Sequence, residues 1–357
     1  MQRRRFPTVN AKNPAGSASR LTGLCLSLRI GLLAGLISVL VGCVTKPTVV
    51  TETPTRGFGA APQLLGPIQL SEQTVILDAR PAFDYSMARI PRSQNINWVD
   101  FSEREPRSRG WPQKDAFASA RRLARMGISP ASKVVVFGFG PNGQGEEGRV
   151  AWLLAYLGVE NVQFARFGSV KSRITTEAMP EETKASLLQE SPAGSAANAA
   201  TDVSGMASPE APIESAAVWK PNLEGTLIAT KKEIIGAFQN RAMEKPWSFE
   251  GRKAKIYRIL DVRPAREYLG KSGGLRARSI PNFDAVNVPW KEFFDADFRV
   301  LPEIGERLIA IGFSKDDRIL VIDNDGVASA AVTMALRAMG FKEAGLYAGG
   351  YNDLMEK

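Results

Sequence analysis

The chain has 357 residues, 44% hydrophobic and 23% charged, a balance that suits globular protein, leaves room for two domains and excludes a fibrous or disordered chain. Its formal charge of +9 is concentrated at the amino end: six of the 46 basic residues and none of the 37 acidic ones precede position 43, which leaves 40 against 37 beyond it. That remainder is too balanced for the basic face of a nucleic-acid binder. The sequence has no histidine and two cysteines, Cys25 and Cys43, so the commonest general base and the commonest zinc ligand are missing. No metal site and no cofactor are expected.

Residues 1–42 begin with Arg3, Arg4 and Arg5, continue through Lys12, Arg20 and Arg29, and end in an apolar run over 30–41 followed by Gly42 and Cys43. The run is shorter than the ~20 apolar residues that span a bilayer, and the order is that of a secretory signal peptide. Leu40-Val41-Gly42-Cys43 resembles the lipobox of bacterial lipoproteins, which implies cleavage before Cys43 and diacylation of its thiol. Two acyl chains, at about 0.8 kcal/mol per buried methylene, suffice for stable anchoring. Val44 in place of aspartate resembles lipoproteins sorted to the outer membrane. The expected location is therefore the cell envelope, on the outer membrane and facing the periplasm. With Cys25 removed and Cys43 acylated, the mature chain would hold no free thiol.

Residues 43–63 are rich in Thr, Pro and Gly and read as a lipidated tether. Residues 64–174 and 227–357 are read as two domains, separated by an Ala/Ser/Pro-rich linker over 175–226. The two segments repeat one another. Leu77-Asp78-Ala79-Arg80-Pro81-Ala82-Phe83-Asp84-Tyr85 and Leu260-Asp261-Val262-Arg263-Pro264-Ala265-Arg266-Glu267-Tyr268 are identical at six of nine positions. Ile90-Pro91 then answers Ile280-Pro281, Asn95-Ile96-Asn97-Trp98 answers Asn287-Val288-Pro289-Trp290, and Leu157-Gly158-Val159 answers Met339-Gly340-Phe341. Val134-Val135-Val136-Phe137 and Ile319-Leu320-Val321-Ile322 read as strands buried on both faces. Helices are expected over 117–126, 151–157, 301–312 and 328–339. This alternation predicts an α/β fold in each repeat, an open parallel sheet flanked by helices.

The Asp-x-Arg at a strand end, the Ile-Pro turn leading to Asn-x-x-Trp, the apolar strand feeding a loop and helix, and the closing Gly349-Gly350-Tyr351 together resemble the rhodanese-like domains of the sulfurtransferase family. The resemblance implies two such domains in tandem. It also implies a reaction in which a cysteine at the end of the central strand, held by backbone N–H groups and a helix N-terminus, carries a persulfide. Carried over, that position falls on Gly138 in the first repeat and Asp323 in the second, and neither is a sulfur nucleophile. The family's Gly-His-Ile-Pro is altered to Ala88-Arg89-Ile90-Pro91 and Arg278-Ser279-Ile280-Pro281.

Two degenerate loops remain as site candidates. In the second repeat Asp323, Asn324, Asp325 and Gly326 keep the family's loop glycine. The Asp323 carboxylate is expected to fill the N–H nest where a thiolate would sit, or to cap the following helix. In the first repeat Gly138, Gly140 and Gly143 match Gly-x-Gly-x-x-Gly between strand and helix. Pro141, Glu146 and Glu147 argue against a dinucleotide there, because one N–H donor is missing and negative charge stands beside the phosphate position. Arg80 with Asp84 and Arg263 with Glu267 stand at i, i+4 spacing and are read as structural pairs worth about 0.3–0.5 kcal/mol. Trp98, Trp111, Trp152, Trp219, Trp247 and Trp290 are read mainly as core, with a partner-binding surface around Trp219, Trp247 and the basic residues Lys231, Lys232, Arg252 and Lys253 as the alternative.

The expectation is thus a catalytically inactive tandem rhodanese-like lipoprotein, a protein-interaction or structural module with an envelope protein as partner. The alternative is a sulfur-compound-binding or sulfurtransferase-related protein working with a separate cysteine protein. A third reading is an enzyme using Asp323 or Asp325 with an externally supplied divalent cation.

Overall fold

The computed structural model describes residues 61–105, 108–169, 174–175, 216–240, 254–271 and 283–355. Residues 1–60, among them Cys43 and the expected signal peptide, most of the expected linker, Trp247, Arg252, Lys253 and Arg278-Ser279-Ile280-Pro281 lie outside the described residues.

The first repeat runs through β1 (Ile68–Gln69), β2 (Val75–Asp78), α1 (Ala82–Met87), β3 (Gln94–Asn95) and α2 (Ala116–Arg125). It continues with β4 (Lys133–Gly138), α3 (Glu146–Tyr156), β5 (Asn161–Arg166) and β6 (Ile174–Thr175). The second repeat opens with α4 (Lys231–Asn240), β7 (Tyr257–Asp261), α5 (Ala265–Tyr268) and β8 (Val286–Asn287). It closes with α6 (Glu303–Ala310), β9 (Arg318–Ile322), α7 (Ala328–Ala338), β10 (Gly345–Leu346) and α8 (Gly350–Leu354). The two main sheets have four strands each, in the equivalent orders β3-β2-β4-β5 and β8-β7-β9-β10, with every pairing parallel. β1 and β6 form a separate parallel pair. The fold is α/β, two parallel sheets flanked by helices.

The apolar runs occupy the centre strands. In β4, Val134 and Val136 join Leu77 in the core that contains α3, while Val135 and Phe137 join Ile68, Leu70, Ile76 and Ala165 on the other face. β9 divides the same way: Ile319 and Val321 share the core with α7, and Leu320 and Ile322 pack with Ile234, Tyr347 and Tyr351. Alternation across a strand buried on both sides explains why these runs are continuous rather than alternating.

The cores on the α3 and α7 sides are a single core. Val136, Trp152 and Leu154 of the first repeat belong to one cluster with Val321, Val332 and Leu336 of the second. The helices α3 and α7 meet so closely that a Cβ on Gly148 would stand 2.3 Å from the Cβ of Ala331 and 2.6 Å from its Cα. The C-terminal end of the sequence-read linker packs as a strap. Ala216 donates its N–H to Ala124 O at 2.8 Å, Glu224 to Tyr156 O at 3.0 Å, and Trp219 is buried. Trp152 Nε1 donates to Leu227 O at 3.0 Å, tying α3 to the entry of the second repeat.

Two expectations change and one open reading is decided. α3 starts at Glu146, five residues before the predicted 151, because Gly145 in the left-handed region (φ 90°) turns the chain directly into the helix. Trp219, read as core or as part of a binding face, lies in the core. Arg80 and Arg263 bond to Asp78 and Asp261, two residues before them, rather than to Asp84 and Glu267.

The contact at Gly148 decides between two opposing effects. Alanine is favoured over glycine in a helix by about 1 kcal/mol, but overpacking a tight core costs about 1–3 kcal/mol. Gly148→Ala is expected to lower stability in denaturant unfolding, and Ala331→Gly added to it should recover part of that loss. A stabilised Gly148→Ala variant would contradict this packing.

Candidate functional site

Each repeat first builds a rigid platform from its Asp-x-Arg motif. Asp261, fully buried at the end of β7, accepts the Arg263 N–H at 2.9 Å and the Arg263 guanidinium at 3.1 Å and 2.7 Å. Asp78 and Arg80 repeat that geometry at 3.0 Å, 3.0 Å and 2.7 Å. Asn287 Nδ2 then bridges the carbonyls of Asp261 and Arg263, both at 2.9 Å, as Asn95 does for Asp78 and Arg80. Tyr351, from the closing Gly-Gly-Tyr, lays its ring 3.8 Å from the Arg263 guanidinium and donates its hydroxyl to Asp261 at 3.1 Å. Its N–H donates to Asp323 O at 2.8 Å. The platform thereby fixes the loop that follows β9.

In that second loop Asp323 is buried and both its oxygens are engaged. Oδ1 accepts the Gly326 N–H at 2.6 Å and the Ser329 hydroxyl at 2.9 Å, while Oδ2 accepts the Ser329 N–H at 2.9 Å. The carboxyl group thus takes up two N–H donors, Gly326 in the loop and Ser329 in the first turn of α7. Gly326 is in the left-handed region (φ 83°), and a Cβ there would stand 2.1 Å from Ala348 O, so only glycine fits. Asn324 Nδ2 donates to Glu267 Oε2 at 2.7 Å, and Asp325 Oδ1 accepts the Val327 N–H at 3.3 Å. Burial and the neighbouring Asp325 raise the Asp323 pKa above the usual carboxylate range, against the pull of the Ser329 and Gly326 donors. Ser329, whose hydroxyl donates to Asp323, is itself fully buried.

The first loop reaches the same end from another position. Gly138 leaves a space that the side chain of Glu147, from the first turn of α3, enters. A Cβ on Gly138 would stand 2.4 Å from Glu147 Oε2. Glu147 is fully buried, and its Oε1 accepts the Gly140 N–H at 2.6 Å. Its Oε2 has no hydrogen-bond partner. Burial pushes the Glu147 pKa up to about 8, with Glu146 and Asp78 adding to the rise and its own amide and that of Gly140 opposing it. Glu146 Oε2 accepts the Gln144 N–H at 2.9 Å. One N–H of the Gly-x-Gly-x-x-Gly segment, that of Gly140, and the next N–H beyond it, that of Gln144, are therefore taken by carboxyl groups of the same chain.

Each loop is also roofed by the other repeat. Arg149, buried on α3, donates to Gly110 O and, at 3.5 Å, to Gly326 O in the second loop, with Trp152 and Trp98 at 4.6 Å and 5.5 Å. Burial lowers its pKa to about 10, and Asp323 and Asp325 act against that fall. A Cβ on Gly110 would stand 2.4 Å from Ala348 O and 2.8 Å from Asp325 O. In the opposite direction, Arg166 reaches Ala296 O at 3.4 Å, and Phe298 lies against Gly140 and 5.2 Å from Phe164.

Gly138, Asp323, Asn324, Asp325 and Gly326 thus stand at the two strand-to-helix loops. Glu147 as an occupant and Arg149 as a roof were not read from the sequence. A Gly at the strand end followed by Glu in the first helical turn was the available signal for Glu147, but acids there are ordinary partners of the helix dipole. Among the described residues no cluster of His, Cys, Asp or Glu has metal-binding geometry, and no helix is long and apolar enough to cross a membrane. A cleft of about 250 Å³ between Asn95, Asn97, Asp100, Arg122 and Arg125 contains none of the loop residues.

Asp323→Ala should free the Gly326 and Ser329 amides. The variant is expected to bind sulfate or phosphate there, seen by calorimetry and in a soaked crystal, at a stability cost of about 1–2 kcal/mol for the lost hydrogen bonds. Anion binding equal in wild type and variant, or an empty loop in the soaked variant, would contradict occupation by the carboxylate.

The sequence model for the rhodanese-like domain matches residues 61–171 and 248–357. No curated protein sequence matches the chain. Among solved structures it is similar to SseA of Escherichia coli, a study of the rhodanese fold and catalytic mechanism of 3-mercaptopyruvate sulfotransferases. There the TM-score is 0.52 and identity 19% over 78% of this chain and 93% of that one. The Tum1 protein of Saccharomyces cerevisiae aligns with a TM-score of 0.54 and 14% identity over 81% of this chain and 94% of that one. Wild-type EanB aligns with a TM-score of 0.52 and 13% identity over 80% of this chain and 62% of that one. With a parallel sheet, an Asp-x-Arg platform and a strand-to-helix loop in each matched segment, the chain belongs to the rhodanese-like domain family and carries that domain twice.

Proposed function

We propose that this protein is a non-enzymatic tandem rhodanese-like lipoprotein, anchored through Cys43, that serves as a protein-interaction or structural module at the cell envelope. The observation that carries the reading is the filling of both loops. Where the family's cysteine would stand are Gly138 and Asp323, and the N–H donors facing those positions are held by Glu147 and Asp323. A persulfide needs a sulfur atom and free donors around it, and fold without that site does not confer the reaction. The described residues contain no cysteine. The cation-assisted reading through Asp323 is disfavoured because both its oxygens already accept N–H or O–H donors in a buried site. The lipid anchor rests on the lipobox-like Leu40-Val41-Gly42-Cys43 alone.

The test compares cells producing the full chain with cells producing Cys43→Ser, and then assays each chain after solubilisation in detergent. The wild-type chain is expected to incorporate labelled fatty acid and sediment with membranes, and the variant to do neither. Neither should transfer sulfur from thiosulfate to cyanide above the uncatalysed rate. Genuine turnover would overturn the non-enzymatic reading, and labelling that survives in Cys43→Ser would overturn the anchor. Saturable thiosulfate binding without turnover would favour a sulfur-compound-binding protein working beside a separate cysteine protein.

A further inference from the structure

The first turn of α3 joins the two loops. Glu147 fills the loop of its own repeat, Gly148 sits at the crossing with Ala331, and Arg149 reaches the loop of the other repeat. Three consecutive residues thus set the first loop, the inter-repeat helix crossing and the roof of the second loop. Glu147 is the member of this set whose charge can change. Its carboxyl is fully buried, with Oε1 on the Gly140 N–H and Oε2 facing the space at Gly138 without a hydrogen-bond partner. A neutral carboxyl tolerates one unpaired oxygen in such a place far better than a carboxylate does, because burying an uncompensated charge is much costlier than burying a polar group.

The charges around it offer no compensation. From β2 comes Asp78, already committed to Arg80. From its own helix comes Glu146, bonded to the Gln144 N–H. From β5, Arg166 presents its Cβ and Cγ to Gly140 and turns its guanidinium to Ala296 O. The second repeat contributes the apolar Phe298 against Gly140. Arg149, two residues on, points away to Gly110 and the Gly326 carbonyl, beside Asp323 and Asp325.

We propose that Glu147 is a proton-operated latch: protonated, it fills the first loop and holds the start of α3 against the second repeat, and ionised, it leaves the loop and loosens that contact. This latch would act whether or not the protein is an enzyme. The sign follows from burial, which raises the Glu147 pKa from the ordinary 4.5 to about 8. The folded chain keeps this proton where the unfolded chain has lost it. The latch is therefore fully engaged below the unfolded value and weakens as pH rises toward about 8.

The experiment uses the full chain in detergent as wild type and as Glu147→Gln, a neutral isostere that imitates the protonated state permanently. The folding equilibrium of wild type should fall by up to about tenfold per pH unit relative to Glu147→Gln through that window. The exchange rates of the Gly140 amide and the amides of residues 145–150 in wild type, relative to Glu147→Gln, should rise by up to about tenfold per pH unit between the unfolded value and about 8 and level off above it. Parallel stability profiles, or relative exchange rates that do not change with pH, would overturn the proposal. If Glu147→Gln does not fold, the wild-type infrared spectrum decides. A protonated-carboxyl C=O stretch present near neutral pH and lost on alkaline titration supports the latch. No such band at neutral pH, or a band that persists undiminished under alkaline conditions, overturns it.

Discussion

Where a buried strand gives way to a helix, backbone N–H groups converge with no carbonyl to receive them, and in a water-excluded interior something must accept those bonds. That constraint organises both halves of this molecule. At the end of β9 the acceptor is Asp323, at the strand end itself, and at the end of β4 it is Glu147, from the first turn of the helix. The two solutions are not interchangeable. Asp323 is short and has all its bonds made, whereas Glu147 needs the side-chain space vacated at Gly138 and leaves one oxygen bare. A glycine in one repeat and an aspartate in the other are thus two answers to one demand.

The same helix start ties the repeats together. The cores on the α3 and α7 sides merge into one, so neither repeat closes its apolar face without the other. Gly148 allows α3 to approach Ala331, and the strap from Ala216 to Leu227 covers the far end of α3. A change at either loop is consequently felt at the helix crossing, and the roofs formed by Arg149 and by Phe298 belong to that one packing arrangement.

Much of the fold was legible in the sequence because it is local or periodic. The buried strands showed as runs such as Val134-Val135-Val136-Phe137, and the platform showed as a repeated Asp-x-Arg whose partners lie two residues apart. The i, i+4 reading of Arg80 and Arg263 failed because α1 and α5 begin only at Ala82 and Ala265, so each arginine precedes the helix in which that spacing would bring side chains together. Asp323 could be placed in its nest from the resemblance. Glu147 and Arg149 could not be read as site residues, since one depends on a space left by a missing side chain and the other on Gly326, 177 residues away. The packed C-terminal end of the linker, from Ala216, was hidden by its composition, where Trp219 is the sole large aromatic over 175–226.

On the proposed reading the rhodanese-like scaffold is retained for its packing and surface, and its two loops are filled by Glu147 and Asp323 of the chain itself. The most direct measurement is an experimental structure of the full chain grown with thiosulfate in excess. The expected result is Glu147 on the Gly140 amide, Asp323 on the Gly326 and Ser329 amides, and thiosulfate in neither loop. Thiosulfate bound at either strand end, with the carboxyl group displaced from its donors, would contradict it.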